Sequence, residues 1–229
     1  MIREEIVHIN GIPKKIIIFL HGYLDDADSI KERLLGDLLT VDNCAIHIPQ
    51  SPFRCEVDNH FRQWYSMYRF DPDYKRKSAP DMQTFVSYYN KMTLGLAETY
   101  GYLQPYIDQT LAEYSLEYKD LFLCGFSQGA MSAIYTSLML PQQIGGLVSL
   151  SGIIAGYEYL QKNAQSTPYT LLINGEKDKL LRTETISFTA QKLRDIGCKV
   201  ETYLLKDAEH QLTSQSITQV INFIKKIPK

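Results

Sequence analysis

The sequence predicts a doubly wound α/β protein, and three observations carry that expectation. Short apolar runs recur along the chain, most of them continuous rather than alternating, as in strands covered on both faces. Between the runs lie longer segments of helical period. Runs and helical segments alternate instead of clustering, which builds a mostly parallel central sheet with helices on both faces.

The elements follow in order. Residues 2–9 alternate apolar and polar side chains and predict a half-exposed edge strand. Short apolar runs, most of them continuous, predict strands at 16–20, 45–49, 121–124, 146–150, 170–174 and 200–205. Helices are predicted at 29–39, at 128–140 with Pro141 as its stop, at 183–196 ending on Gly197, and at 213–224. Residues 61–116 break the rhythm, with no convincing strand in over fifty positions. There Met82, Phe85, Val86 and Tyr89 have the i, i+3, i+4, i+7 spacing of an amphipathic helix. Leu103, Ile107, Leu111 and Tyr114 predict a second helix, in which Pro105 must occupy the first turn or form a kink. The chain is therefore read as one domain over residues 1–229. It carries a helical and aromatic insertion around 61–116, of which about 61–100 forms a flap or wall.

Composition narrows the function classes. The chain has 229 residues, 45% of them apolar and 22% charged, the balance of a globular protein with a sizeable core. A net charge of −2 provides no strong field for nucleic acid or an anionic membrane. Cys44, Cys55, Cys124 and Cys198 contain no C-x-x-C pair, which argues against a structural zinc or a redox motif. Cys124 lies in an apolar run and reads as a small buried hydrophobe. Residues 1–10 contain no apolar stretch of signal-peptide length, and the run at 16–20 is too short to span a bilayer. The expectation is a cytoplasmic protein with reduced thiols.

The chemistry centres on Gly125-Phe126-Ser127-Gln128-Gly129, a G-x-S-x-G pattern with a predicted strand directly before it and a helix directly after. That is the setting of a nucleophile elbow, whose glycines permit a tight turn that displays the serine. A serine hydroxyl is a poor nucleophile until a base takes its proton. On such a framework the order is serine, acid, histidine. Of His8, His21, His47, His60 and His210, only His210 follows Ser127, and it lies in a polar loop after the strand at 200–205. The acid is expected just past a strand, which selects Asp178, with Glu176 as the alternative. Asp195 reads as a helix-face residue, and Asp207 is too close to His210 to come from a separate strand end. Stabilising an oxyanion requires backbone N–H groups. Gln128, at a helix N-terminus, and Tyr23, in the loop His21-Gly22-Tyr23-Leu24-Asp25-Asp26, are the expected donors, while His21 is expected to shape that loop.

Taken together, these residues resemble the carboxylesterase/phospholipase family of α/β-hydrolases, which includes bacterial carboxylesterases and acyl-protein thioesterases. The resemblance rests on Phe19-Leu20-His21-Gly22, Gly125-Phe126-Ser127-Gln128-Gly129-Ala130, Leu150-Ser151-Gly152, Asn174-Gly175 with Asp178, and His210. Trp64-Tyr65 resembles an aromatic pair that the family carries before its helical segment. The resemblance implies an α/β-hydrolase fold and Ser127, Asp178 and His210 as a catalytic triad. It implies Tyr23 and Gln128 as oxyanion donors, no metal or organic cofactor, and a small-molecule ester, thioester or lysophospholipid as substrate. A carboxylesterase is the leading expectation, and a thioesterase or lysophospholipase for longer acyl chains is the alternative. Leu24 stands where the family usually has glycine, and the segment after Trp64 is longer than usual.

That segment holds Phe61, Trp64, Tyr65, Tyr68, Phe70 and Tyr74. Trp64, Tyr65 and Tyr68 are the expected acyl-chain contacts, the competing expectation being an insertion that packs its own small core. Lys75-Arg76-Lys77, with Asp71 and Asp73 beside it, reads as a solvated turn. A non-catalytic binding module is the rival of another class. Against it, all three triad positions hold competent residues. A peptidase is disfavoured because the chain holds no gating domain.

Overall fold

The computed structural model describes residue 2, residues 5–38 and residues 40–227. The expectations at Met1, Arg3, Glu4, Leu39, Pro228 and Lys229 lie outside the described residues. In chain order the elements are β1 (Glu5–Asn10), β2 (Lys15–Leu20), α1 (Ala27–Leu38), β3 (Cys44–Pro49), β4 (Phe53–Arg54), β5 (Arg62–Gln63), α2 (Met82–Asn90) and α3 (Thr93–Glu113). They continue with β6 (Leu121–Phe126), α4 (Gln128–Met139), β7 (Gly146–Leu150), α5 (Tyr157–Asn163), β8 (Thr170–Gly175), α6 (Glu184–Ile196), β9 (Val200–Leu205) and α7 (Ser214–Lys226).

Among the described residues, seven strands form one sheet in the order β1-β3-β2-β6-β7-β8-β9. All neighbours are parallel except the edge strand β1, which runs antiparallel to β3 from Glu5 opposite Pro49 to Asn10 opposite Cys44. The alternation of β2 shows why its run is continuous. Ile16, Ile18 and Leu20 enter one core, under α2 to α6, while Ile17 and Phe19 enter a second core, under α1 and α7. Both faces are dry, so an apolar residue is favoured at every position. Each fully buried Ile, Leu or Phe contributes about 1.5–3 kcal/mol of transfer free energy. Cys124 is buried in the second core, as an apolar filler.

Three elements depart from the sequence expectation. The α3 helix begins ten residues before its periodic stripe, and Pro105 lies past its middle instead of in the first turn. The buried positions of its first half are Gly95, Leu96 and Thr99, and one leucine between a glycine and a threonine does not register as an apolar period. The α5 helix has only seven residues, entered from Gly156 at φ 72°, and is too short for periodicity to reveal. At the entry to the insertion, β4 and β5 form a two-residue antiparallel ribbon, too brief to stand out as strands.

The sheet delivers four loops to one edge. They leave the carboxyl ends of β2, β6, β8 and β9, where ligands of open α/β sheets bind.

Candidate active site

Ser127 stands alone between β6 and α4, with φ 54° and ψ −115°. That conformation lies outside the ordinary allowed basins, and the surrounding packing holds it there. The flanking glycines are dictated by backbone proximity. A Cβ on Gly125 would lie 2.4 Å from the Gly129 carbonyl oxygen, and one on Gly129 would lie 2.3 Å from the carbonyl oxygens of both Leu20 and His21. The elbow is thus pressed against the end of β2, which brings the 21–26 loop to the serine. A Cβ added at Gly22 would sit 3.6 Å from Ser127 Cβ. The Ser127 N–H donates to Leu150 O on the other side, at 2.9 Å.

The loops after β8 and β9 meet in the same way. A Cβ on Gly175 would fall 2.4 Å from Ala208 O, so only glycine lets the two chains approach. This approach assembles a hydrogen-bonded chain. Ser127 Oγ lies 2.9 Å from His210 Nε2, and His210 Nδ1 lies 2.7 Å from Asp178 Oδ2. The second carboxylate oxygen, Oδ1, accepts from the Leu180 and Leu181 N–H groups, each at 2.8 Å. Burial alone pushes the Asp178 carboxyl up, but the hydrogen bond and charge of His210 and the two amides outweigh it and hold the group below its usual value. An ionised Asp178 fixes the proton on Nδ1, leaving Nε2 to accept from the serine. The competing acids are elsewhere: Glu176 is exposed and accepts from the Asp207 N–H, Asp207 pairs with Lys177, and Asp195 bonds Gln191 on its own helix.

His21 is fully buried, and that burial pulls its imidazole down to about 4, so the ring is neutral. Its Nδ1–H donates to Gly22 O at 2.8 Å, and its Nε2 accepts from the Ser51 N–H at 3.2 Å. It shapes the loop, as expected. Leu24 sits at φ 57°, the left-handed region that a glycine would occupy without strain. A leucine there costs about 1–2 kcal/mol. Tyr23 is held by a hydrogen bond of 3.0 Å from its hydroxyl to Glu56.

The aromatic pair after β5 does not contact the cleft. Trp64 is fully buried and Tyr65 nearly so, while Tyr68 is 40% exposed. The Trp64 indole N–H donates to His21 O at 2.8 Å, and its ring stacks on His21 at 4.9 Å. The Trp64 backbone N–H donates to Gln128 Oε1 at 2.8 Å, and Gln128 Nε2 donates to Tyr65 O at 2.9 Å. Trp64, Tyr65 and the Gln128 side chain therefore clamp the elbow to the 21–26 loop. The expectation of Trp64, Tyr65 and Tyr68 as acyl contacts is corrected: backbone and indole hydrogen bonds draw the first two inward, and Tyr68 packs edge-on against Tyr74.

The cleft above Ser127 has a volume of about 540 Å³. Met67, Phe85, Tyr89, Phe126 and Met131 form its apolar wall, and Tyr23, Ser127, Gln128 and His210 also line it. The insertion does contribute wall, through Met67, Tyr74, Phe85 and Tyr89 rather than through Trp64, Tyr65 and Tyr68. Arg76 corrects a second expectation. Instead of standing in a solvated turn it is buried, lines the cleft, and pairs through Nη1 with Asp71 Oδ2 at 2.7 Å.

A strand–elbow–helix with a Ser–His–Asp chain at the carboxyl edge of a mostly parallel sheet defines an α/β-hydrolase fold. The chain belongs to the phospholipase/carboxylesterase family, whose profile matches residues 2–228, and it is a hydrolase of that type. It is similar to acyl-protein thioesterase 1 of Saccharomyces cerevisiae, 25% identical over 227 residues, spanning 93% of this chain and 92% of the relative. It is also similar to carboxylesterase SOBER1 of Arabidopsis thaliana, 22% identical over 222 residues, with 93% and 90% covered. The crystal structure of esterase PE8 has the same fold, with a TM-score of 0.83 at 24% identity and 98% of each chain covered. Among the described residues, no helix is long and apolar enough to cross a membrane.

Proposed function

We propose that Ser127, His210 and Asp178 are the nucleophile, base and orienting acid of a hydrolase that cleaves carboxylic esters or thioesters through an acyl-enzyme. The observation that supports this best is the continuous hydrogen-bonded chain from Ser127 Oγ to Asp178, opening on a cleft with an apolar wall. Ser127 Oγ attacks the acyl carbonyl carbon while His210 Nε2 takes the hydroxyl proton. The resulting imidazolium is stabilised by Asp178. The oxyanion is received by the Gln128 N–H, at the positive end of α4, and by the Tyr23 N–H. Collapse of the intermediate expels the alcohol or thiol, which takes its proton from His210. Water then attacks the acyl-enzyme with the same base and releases the acid.

A carboxylesterase is the leading reading. The second reading is a thioesterase or lysophospholipase for longer acyl chains, supported by the wall of Met67, Phe85, Tyr89 and Met131 and by the similarity to the yeast acyl-protein thioesterase. A series of p-nitrophenyl esters from two to twelve carbons, run beside acyl-thioesters, separates the two. Ser127→Ala should lower kcat by on the order of 10⁶ on whichever substrate is turned over. Hydrolysis by Ser127→Ala within tenfold of the parent would reject the mechanism.

A further inference from the structure

The residues that line the cleft include four cations, Arg76, Lys77, Lys179 and Arg182, and no carboxylate, although the chain as a whole carries a net charge of −2. The cations differ from their neighbours in how they are compensated. Just outside the cleft, Lys75 pairs with Asp73 at 3.1 Å and Lys177 pairs with Asp207 at 2.6 Å. Arg76 pairs with Asp71. Among the described residues, Lys77, Lys179 and Arg182 have no carboxylate within ion-pair distance.

Arg182 is the most constrained of the three. It follows Asp178 by four positions, is half-buried, and its guanidinium lies 5.1 Å from the centroid of the Phe85 ring. Its Nη2 donates to Ala79 O, which ties it to the turn that carries Arg76. Asp81 is near enough to feel its charge but caps the start of α2, where its Oδ1 accepts from the Thr84 N–H at 2.7 Å. Asp178 is committed to His210 and two backbone amides. A partly desolvated guanidinium held against an aromatic wall, with fixed orientation and no carboxylate in direct contact, is a receptor for a planar or tetrahedral anion. Arg76 lies on the same wall, and Lys77 and Lys179 are exposed at its rim, where they can draw an anion inward.

We propose that the cleft selects esters or thioesters that carry a second, anionic group, a carboxylate or phosphate, received by Arg182 with Arg76 beside it. The proposal rests on the hydrolase reading above and adds the charge of its substrate. The anion takes no part in the bond changes; its binding orients the scissile carbonyl over Ser127.

The test uses the full chain and two matched substrate pairs. Monoethyl adipate against ethyl hexanoate places the charge on the acyl side, and 4-(butyryloxy)butanoate against pentyl butyrate places it on the alcohol side. The expected result is a kcat/KM preference of about tenfold to hundredfold for the anionic member of one pair, falling as salt rises. The pair that shows it locates the anion. Arg182→Met, which keeps a stem over Phe85 and removes the donor to Ala79 O, should reduce that preference to within about threefold of unity with thermal melting as its check on folding, and Arg182→Lys should restore part of it. Arg76→Gln combined with Asp71→Asn removes the buried pair together and should also reduce the preference, with thermal melting as the check on folding. Equal rates on both members of both pairs, with Ser127-dependent hydrolysis intact, would overturn the proposal and leave the hydrolase reading standing. A preference untouched by Arg182→Met would also overturn it. Loss of Ser127 dependence would overturn both.

Discussion

Replacing Trp64 by Phe distinguishes a clamp from a pocket wall. Trp64 is fully buried, donates its indole N–H to His21 O at 2.8 Å, and stacks between His21 and Tyr102, with ring centroids at 4.9 and 6.3 Å. Phenylalanine retains a ring in the stack but leaves the buried His21 carbonyl without that donor, at a cost of about 1–3 kcal/mol. The smaller ring leaves a void worth about 1 kcal/mol more. The sum, about 2–4 kcal/mol, corresponds in a chain of this length to a Tm lowered by on the order of 10 °C. Because His21 precedes Gly22, whose backbone packs against Ser127, the loosened loop should lower kcat/KM by a similar factor for two-carbon and eight-carbon esters. Phe85→Ala, on the cleft wall, should behave differently. It should remove part of the gain of about 0.8 kcal/mol per buried methylene and so flatten the chain-length series. Thermal melting of both variants and the ester series provide the comparison. An unmoved Tm for Trp64→Phe, or a loss confined to long-chain esters, would refute the clamp.

Two further outcomes follow from the charges around the site. Asp178→Asn should lower kcat by about 10⁴ through loss of the correct His210 tautomer, whereas Glu176→Gln should stay near the parent rate; pre-steady-state ester hydrolysis reads both. His21 predicts a pH-dependent stability. Its folded value, about 4, lies below the unfolded value near 6.5, so the unfolded chain binds more protons between them. The contribution of His21 is fully present above pH 6.5 and declines as pH falls towards 4, by about 3 kcal/mol across the window. Asp178, held below its usual value, adds stability that is lost only at still lower pH, as the solution passes through its folded value. Urea melts from pH 7 to 4 should show the His21 slope in the parent and not in His21→Gln, and equal slopes in both would contradict the neutral buried ring.

Much of this architecture is legible in the residue pattern because parallel strands under two layers of helices must be apolar at every position, as Ile16 to Leu20 are. Ser127, Asp178 and His210 are legible for another reason: the framework restricts each to the loop after a strand, and few residues of the right chemistry occur there. The polarity of contact is harder to see. Six aromatics between residues 61 and 74 announce burial, but whether a ring faces ligand or core depends on partners far along the chain. Trp64 is turned inward by His21 O and Gln128 Oε1, sixty-four positions away in the second case. Arg76 looks solvated beside two lysines until Asp71 folds back onto it. The first half of α3 packs on glycine and threonine, whose burial leaves no apolar period.

The central claim is that Ser127 is the residue acylated during turnover. Incubating the chain with a fluorophosphonate and locating the adduct by peptide mass spectrometry tests it most directly. The account predicts one modified residue, Ser127, with labelling abolished in Ser127→Ala and strongly slowed in His210→Ala. Modification at another serine, or full labelling of Ser127→Ala, would contradict it.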